Sequence, residues 1–393
     1  MICAAAADVT AVTQLTPSSK AAAPECIKTS QGIQHGVVIE SAFCESTVCH
    51  DQACQGQGGS VNQEQVWAAL AGDKRVSDAD LSGMDLSGRD LSACRFHNVK
   101  LDGANLSRAN LSGADLHQVS LSEANLEEAN AAEGCFSGVD LSGAKAGKAN
   151  FSHAQFSTCN FTKTVFAAAQ LVRADTHECI FADTDFSGAN LHRWTAMNTD
   201  LSRVRFAQTS LLQAYLKDCV LTAQDFHNCD LTMTILNGAQ LQEANFRDVV
   251  LDRTSLIGAQ LQGATLSGVR GSYVALIDAQ LAQADLCGAV FEMADASHAD
   301  FGAVQADGVR WNKSMLKSSD WRRASLKKAQ WSNCDLSHAN FSDADCSQAD
   351  LSGTNVHAIK QDHTRWDGAQ LNGVRPTDVV LERAEQWRAG PVK

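Results

Sequence analysis

Four residues near the start of the chain have the chemistry of metal ligands: Cys44, Cys49, His50 and Cys54 offer three thiols and an imidazole. Zinc accepts tetrahedral Cys and His sets, most often presented as CxxC pairs. The spacing here is different, so these four are weak metal candidates, and an unstructured or loosely docked tail is the expected state. Phe43, Val48 and Ala53 recur at steps of five, which leaves a degenerate coil as the alternative. Further along, His97 and His117 stand twenty residues apart. Two imidazoles brought together can respond to pH or bind a metal, although a solvated surface pair is the simpler expectation.

Positive charge gathers in one segment, where Arg310, Lys313, Lys317, Arg322, Arg323, Lys327 and Lys328 stand against Asp320 alone. Trp311 and Trp321 lie within it and Trp331 just beyond. Arg and Trp are typical interface anchors, which makes this belt a candidate partner-docking surface. The competing reading is a solvated charge run over oversized core residues that widen or distort the coil. No nucleophile elbow, HExxH, phosphate loop, dinucleotide fingerprint or paired-carboxylate arrangement stands out. Catalytic residues, cofactors and enzyme activity are therefore not expected.

One periodicity governs where these groups sit. From Leu81 to Leu371 a bulky apolar residue returns every five positions with no insertion or deletion, interrupted in type only at Ala131, Ala146, Thr176, Ala196, Gly271, Ala296, Ala306, Cys346 and Gln361. A period of five suits neither a helix at 3.6 nor a strand at 2. Two residues before nearly every centre is a small side chain, as in Ala104-Asn105-Leu106 and Ala114-Asp115-Leu116. Cys94, Cys159, Cys179, Cys219, Cys229 and Cys334 occupy that small position, where a thiol serves as compact apolar filler. Phe166, Phe186, Phe206, Phe226 and Phe246 recur at twenty, so a coil of four five-residue sides would stack them in one core column. Cys159 and Cys179 would stack likewise, the one pair among these to watch for oxidation.

This A(D/N)LXX pattern closely resembles the pentapeptide-repeat family over about three quarters of the chain. The resemblance implies an all-β fold, a right-handed quadrilateral β-helix, with the centre and the small residue both pointing inward. About fifteen coils, stacked at roughly 4.8 Å, would give a solenoid about 70 Å long. Exposed solenoid ends need caps. Residues 1–61 are expected to be a disordered or weakly ordered tail ending in the Gln55–Ser60 linker, and 62–78 a capping helix and lead-in with Trp67 and Leu70 on one face. The β-solenoid proper is expected over 79–373. A C-terminal cap helix and tail, begun by Thr377 or Asp378, would fill 374–393.

The net charge of −13 and pI near 5.3 argue against direct nucleic-acid binding. No stretch is apolar enough for a membrane span, and the opening residues lack the basic start of a secretory signal. The cytoplasm is the expected compartment, with the 14 cysteines reduced. The resemblance implies a non-enzymatic interaction scaffold or adaptor with protein partners. Any homodimer is expected to form through the C-terminal cap. Gln65 to Asp73, ahead of the Asp-Leu-Ser-Gly repeats, is similar to bacterial repeat proteins associated with type VI secretion, which implies a secretion-machinery component or toxin as partner. Two other roles stay open: a DNA mimic that binds a type II topoisomerase, as some members do, and a secreted effector whose uncleaved signal lies in residues 1–61.

Overall fold

The computed structural model describes residues 63–387, and the pentad is its unit of construction. In Ala104-Asn105-Leu106-Ser107-Arg108 the Ala and Leu side chains are buried. The Leu106 N–H donates to the Asn125 carbonyl of the next coil (2.7 Å), and the Arg108 N–H to the Glu127 carbonyl (2.8 Å). Asn105 N–H points the opposite way, to the Met84 carbonyl of the preceding coil (2.9 Å), while Ala104 N–H closes a turn onto Leu101 (3.0 Å). The last donor, Ser107 N–H, is met by a side chain, Asn105 Oδ1, at 3.2 Å. All five backbone donors are thereby satisfied, as a packed wall requires. That last bond is why Asp or Asn precedes the centre: Asp85 and Asp140 accept from Ser87 and Ser142 in the same way. The third residue of the turn is left-handed, with Gly103 at φ 63° and Arg108 at φ 58°, the signature of a type II turn.

Parallel pairs at a step of twenty run from Arg75↔Arg95 to Asn355↔Arg375, so each coil has four sides. Phe96, Leu101, Leu106 and Leu111 are the centres of its first to fourth sides. On most sides the turns leave single paired residues. The first side of the N-terminal coils opens into a seven-stranded parallel sheet, in chain order: β1 (Arg75–Ser77), β2 (Arg95–His97), β3 (Asp115–His117), β4 (Cys135–Ser137), β5 (Gln155–Ser157), β6 (Asp175–His177) and β7 (Thr195–Ala196). The fourth side opens later into β8 (Arg270–Ser272), β9 (Val290–Glu292), β10 (Arg310–Asn312) and β11 (Gln330–Ser332). Val76, in β1, is a buried centre one pentad ahead of Leu81.

The phenylalanine column stacks face to face: ring centroids are 5.2 Å apart for Phe166–Phe186, 6.1 Å for Phe186–Phe206, 6.0 Å for Phe206–Phe226 and 5.0 Å for Phe226–Phe246. At Trp194 and Ala196 the order of sizes is exchanged: the small position holds the indole and the centre holds Ala, both buried. The tryptophans of the basic segment do not break the coil. Trp311 stacks on Phe291 at 4.3 Å and Trp321 on Phe301 at 4.0 Å, and the parallel pairs continue through both. The two remaining centres of the coil carrying Phe301 and Trp311 shrink to Ala296 and Ala306, which makes the room that local widening would otherwise have to supply.

Helix α1 (Gln63–Ala71) covers the first coils by burying Val66 and Leu70. Trp67, expected on that buried face, is only partly covered and carries the Arg89 guanidinium 4.5 Å above its ring. At the other end α2 (Val379–Gln386) starts at Asp378, whose carboxylate accepts from the Val380 and Leu381 N–H groups. Thr377 instead accepts the Ala358 N–H. No residue of α2 is buried, so this helix does not seal the last coil as α1 seals the first.

Candidate interaction surface

Among the described residues, inward positions hold most of the thiols. Cys94, Cys159, Cys179, Cys219, Cys229 and Cys334 are all buried. Five of them donate to the carbonyl of the centre one coil back, as Cys229 does to Phe206 (2.8 Å) and Cys219 to Ala196 (3.2 Å). Thr164 and Thr254 do the same with their hydroxyls. Burial pushes the Cys219 and Cys334 thiols up to about 12 and Cys229 up to about 11, far from the thiolate needed for reactivity. The neighbouring Cys179 thiol, together with burial, pushes the Cys159 thiol up. These cysteines are core filler.

Outward positions carry the charge. The basic segment does encircle the solenoid, but its members are not equivalent. Arg322 is held by Asp320 (2.6 Å) and Lys327 lies 3.8 Å from Asp345. Arg310, Lys313, Lys317, Arg323 and Lys328 form no ion pair among the described residues. Arg310 and Lys313 bracket β10 on the fourth side. One coil before each lie Val290 and Met293, two coils before lie Arg270 and Tyr273, and three before lie Val250 and Arg253. Arg253 lies 6.0 Å from the centre of the Tyr273 ring.

Histidine pairs occur twice. His97 and His117 stack at 5.1 Å with rings 4° from parallel. Among the described residues no third ligand joins them; the one group of three potential metal ligands is His338, His357 and Glu385. His357 Nε2 is 3.2 Å from Glu385 Oε2, and His338 Nε2 is 3.4 Å from Oε1. The Asp378 N–H donates to His357 Nδ1 at 3.1 Å. Neutral His357 must therefore carry its proton on Nε2 and donate to Glu385, which occupies the lone pair a metal would need. The trio is a clasp that ties α2 to the last coils. Its hydrogen bond from His357 and the neighbouring His338 hold the Glu385 carboxyl below the usual range. Cys44, Cys49, His50 and Cys54 lie outside the described residues. No described helix is long and apolar enough to cross a membrane.

An unbroken four-sided coil with this pentad grammar defines a class, and the family comparison agrees. The model for pentapeptide repeats matches residues 77–113, 90–128, 109–145, 134–166, 234–270, 274–310 and 322–357, and that for the pentapeptide repeat region matches 173–246. The chain belongs to the pentapeptide-repeat family. No curated protein matches it significantly. Among solved structures it is similar to HetL, a pentapeptide repeat protein involved in heterocyst differentiation regulation in the cyanobacterium Nostoc sp. strain PCC 7120. Identity there is 17% and the TM-score 0.21, over 80% of this chain and 96% of that one. It is likewise similar to QnrB1, a plasmid-mediated fluoroquinolone resistance protein, with 17% identity and a TM-score of 0.25 over 69% of this chain and 99% of that one. A thylakoid-lumen pentapeptide repeat protein of Arabidopsis thaliana shares 27% identity and a TM-score of 0.11, over 28% of this chain and 68% of that one.

Sequence reasoning grouped the basic residues by position along the chain and missed their neighbours across coils. Arg270, Tyr273 and Met293 join Arg310 and Lys313 only when the chain is read in columns of twenty. The clasp left no periodic signal, because Glu385 lies beyond the repeats.

Proposed function

We propose that this chain is a non-enzymatic protein-interaction scaffold, acting in the cytoplasm as an adaptor for a type VI secretion component or its toxin cargo. The observation that carries the scaffold reading is the division within the pentad. Among the described residues, core positions absorb most thiols, whereas outward positions near β10 set unpaired cations beside exposed Tyr273, Met293 and Met315. The adaptor role draws on the Gln65–Asp73 segment, which forms most of α1 and its exit. Isolating the tagged full chain from its own cells and identifying bound proteins tests both readings. A secretion component or toxin supports the adaptor, other protein partners leave only the scaffold, and recovery of no protein overturns both.

A second reading, the DNA mimic, is favoured by ionised carboxylates on successive sides of the first coil. Hydrogen bonds from Ser82, Ser87 and Ser92 hold Asp80, Asp85 and Asp90 below the usual carboxylate range. Unaltered gyrase supercoiling at micromolar protein would end it. For self-association the proposed face is the C-terminal end, where Leu371 is 60% and Trp387 is 74% exposed. Light scattering on the purified chain decides between monomer and dimer.

A further inference from the structure

The belt is less uniform than its sequence suggests, and one edge of it differs in kind from the rest. Where the fourth side meets the first, two outward columns run side by side along the solenoid axis. One reads Val250, Arg270, Val290, Arg310 and the other Arg253, Tyr273, Met293, Lys313. Successive members sit one strand spacing apart, about 4.8 Å, so each column covers roughly 15 Å. Met315 and Lys317 continue the surface onto the first side. Tyr273 is 52%, Met315 51%, Val250 47% and Met293 42% exposed, a concentration of open apolar side chains in four adjacent coils. None of the five cations here forms an ion pair among the described residues, in contrast to Arg322 and Lys327 on the other corners.

We propose that this edge, and not the whole belt, is the docking surface, and that it takes a protein surface whose carboxylates surround apolar side chains. The inference rests on the scaffold reading and names the partner's chemistry. Tyr, Met and Arg are the types enriched at interface centres. The alternation along the first column sets Arg270 between exposed Val250 and half-buried Val290, and Arg310 beside Val290, so an acidic partner gains charge pairing and apolar burial from the same contact. The edge's own carboxylates, Asp252, Glu292 and Asp295, leave a small positive excess on a chain of net charge −13. That is too little to hold a nucleic-acid backbone, whose binding scales with the number of phosphates neutralised. Methionine and valine would also gain nothing from phosphates, and Arg253 already lies near the Tyr273 ring that a base would stack on.

The test uses the full chain in the cells that make it, with a photocrosslinking amino acid at Met293 and, as control, at Gln283 after the second side of the same coil. Peptide mass spectrometry reads the attached segment. The expected result is a protein crosslink at 293 and not at 283, to a peptide bearing Asp or Glu among apolar residues. It should fall at least about tenfold in the R270E/R310E variant. It should persist when Arg322, Arg323, Lys327 and Lys328 are all reversed to Glu. Equal thermal melts of the variants show that these exposed changes leave the coil folded. A crosslink at 283 alone, or one at 293 to a basic peptide, to nucleic acid or to another copy of the chain, overturns the edge while leaving the scaffold reading standing. No crosslink at either site, with no protein partner recovered by affinity isolation, overturns both.

Discussion

Gly271 occupies a centre where the repeat calls for Leu, and by the pentad rule a Leu there should stabilise the solenoid by roughly 2 kcal/mol of buried surface. The structure implies the opposite sign. A Cβ built on Gly271 would overlap Val274 Cγ2 and would approach the Leu251 carbonyl oxygen at 3.3 Å. Val274 has turned its side chain into the place of the missing centre and is itself buried. Gly271 is not in the left-handed region, so Gly271→Ala should gain about 0.4–1 kcal/mol through the unfolded chain. Overpacking costs about 1–3 kcal/mol. The net expectation is a loss of about 1 kcal/mol for Ala and more for Leu. Because a solenoid opens locally, the assay is native-state hydrogen exchange on the coils around Leu251, Gly271 and Phe291. Exchange there should quicken several-fold in Gly271→Ala, with distant coils unchanged. Adding Val274→Ala should return part of the loss, as a double-mutant cycle with coupling of about 0.5 kcal/mol or more. A slower exchange in Gly271→Ala, or strict additivity with Val274→Ala, would refute the claim that Val274 fills this site.

Other expectations follow from the same geometry. Phe206→Asp puts a charge into the stacked column and should cost more than about 4 kcal/mol, whereas Arg205→Ala, on an exposed position, should stay within about 0.5 kcal/mol in urea titrations. Native alkylation followed by peptide mapping at pH 8 should label exposed Cys287 and spare Cys219, Cys229 and Cys334 until the chain unfolds. Glu385→Gln should loosen α2, seen as faster exchange in residues 379–386. Since the Glu385 carboxyl is held low by its histidine partners, its contribution is complete above the ordinary carboxylate range. It is lost as pH falls through the depressed folded value, so the helix should release in acid and not at neutral pH.

The coil was legible because its cause is local. A bulky centre, a small residue two before it and a carboxamide or carboxylate between them each answer one demand of the backbone, and every pentad repeats the demand. Where the sequence misled, core positions within one coil had shared out a volume. The Trp311 coil looked swollen along the chain, but Ala296 and Ala306 on the other two sides had already made room. At Trp194 and Ala196 the sizes simply change places. The basic segment was visible as composition, yet its division into paired and unpaired cations depends on Asp345, one coil on from Lys327 and remote in a linear reading. The clasp was illegible, because the position of α2 is set by three polar side chains and by no periodic feature.

The direction of the backbone bonds has a consequence for how such a chain can meet its own kind. Toward the C-terminal end each pentad holds out two N–H groups and one carbonyl; toward the N-terminal end it holds out one N–H and two carbonyls, as the partners of Leu106, Arg108 and Asn105 show. The solenoid is thus a polar template whose open ends match only head to tail, and in that sense it can always be extended. Helix α1 closes the accepting end. Among the described residues the donating end stays open under a helix none of whose own residues is buried, and two copies meeting there would face each other with donors in excess. A symmetric pairing at that end leaves at least half of those N–H groups without a carbonyl, so it must rely on side chains such as Leu371 and Trp387 more than on the repeat itself.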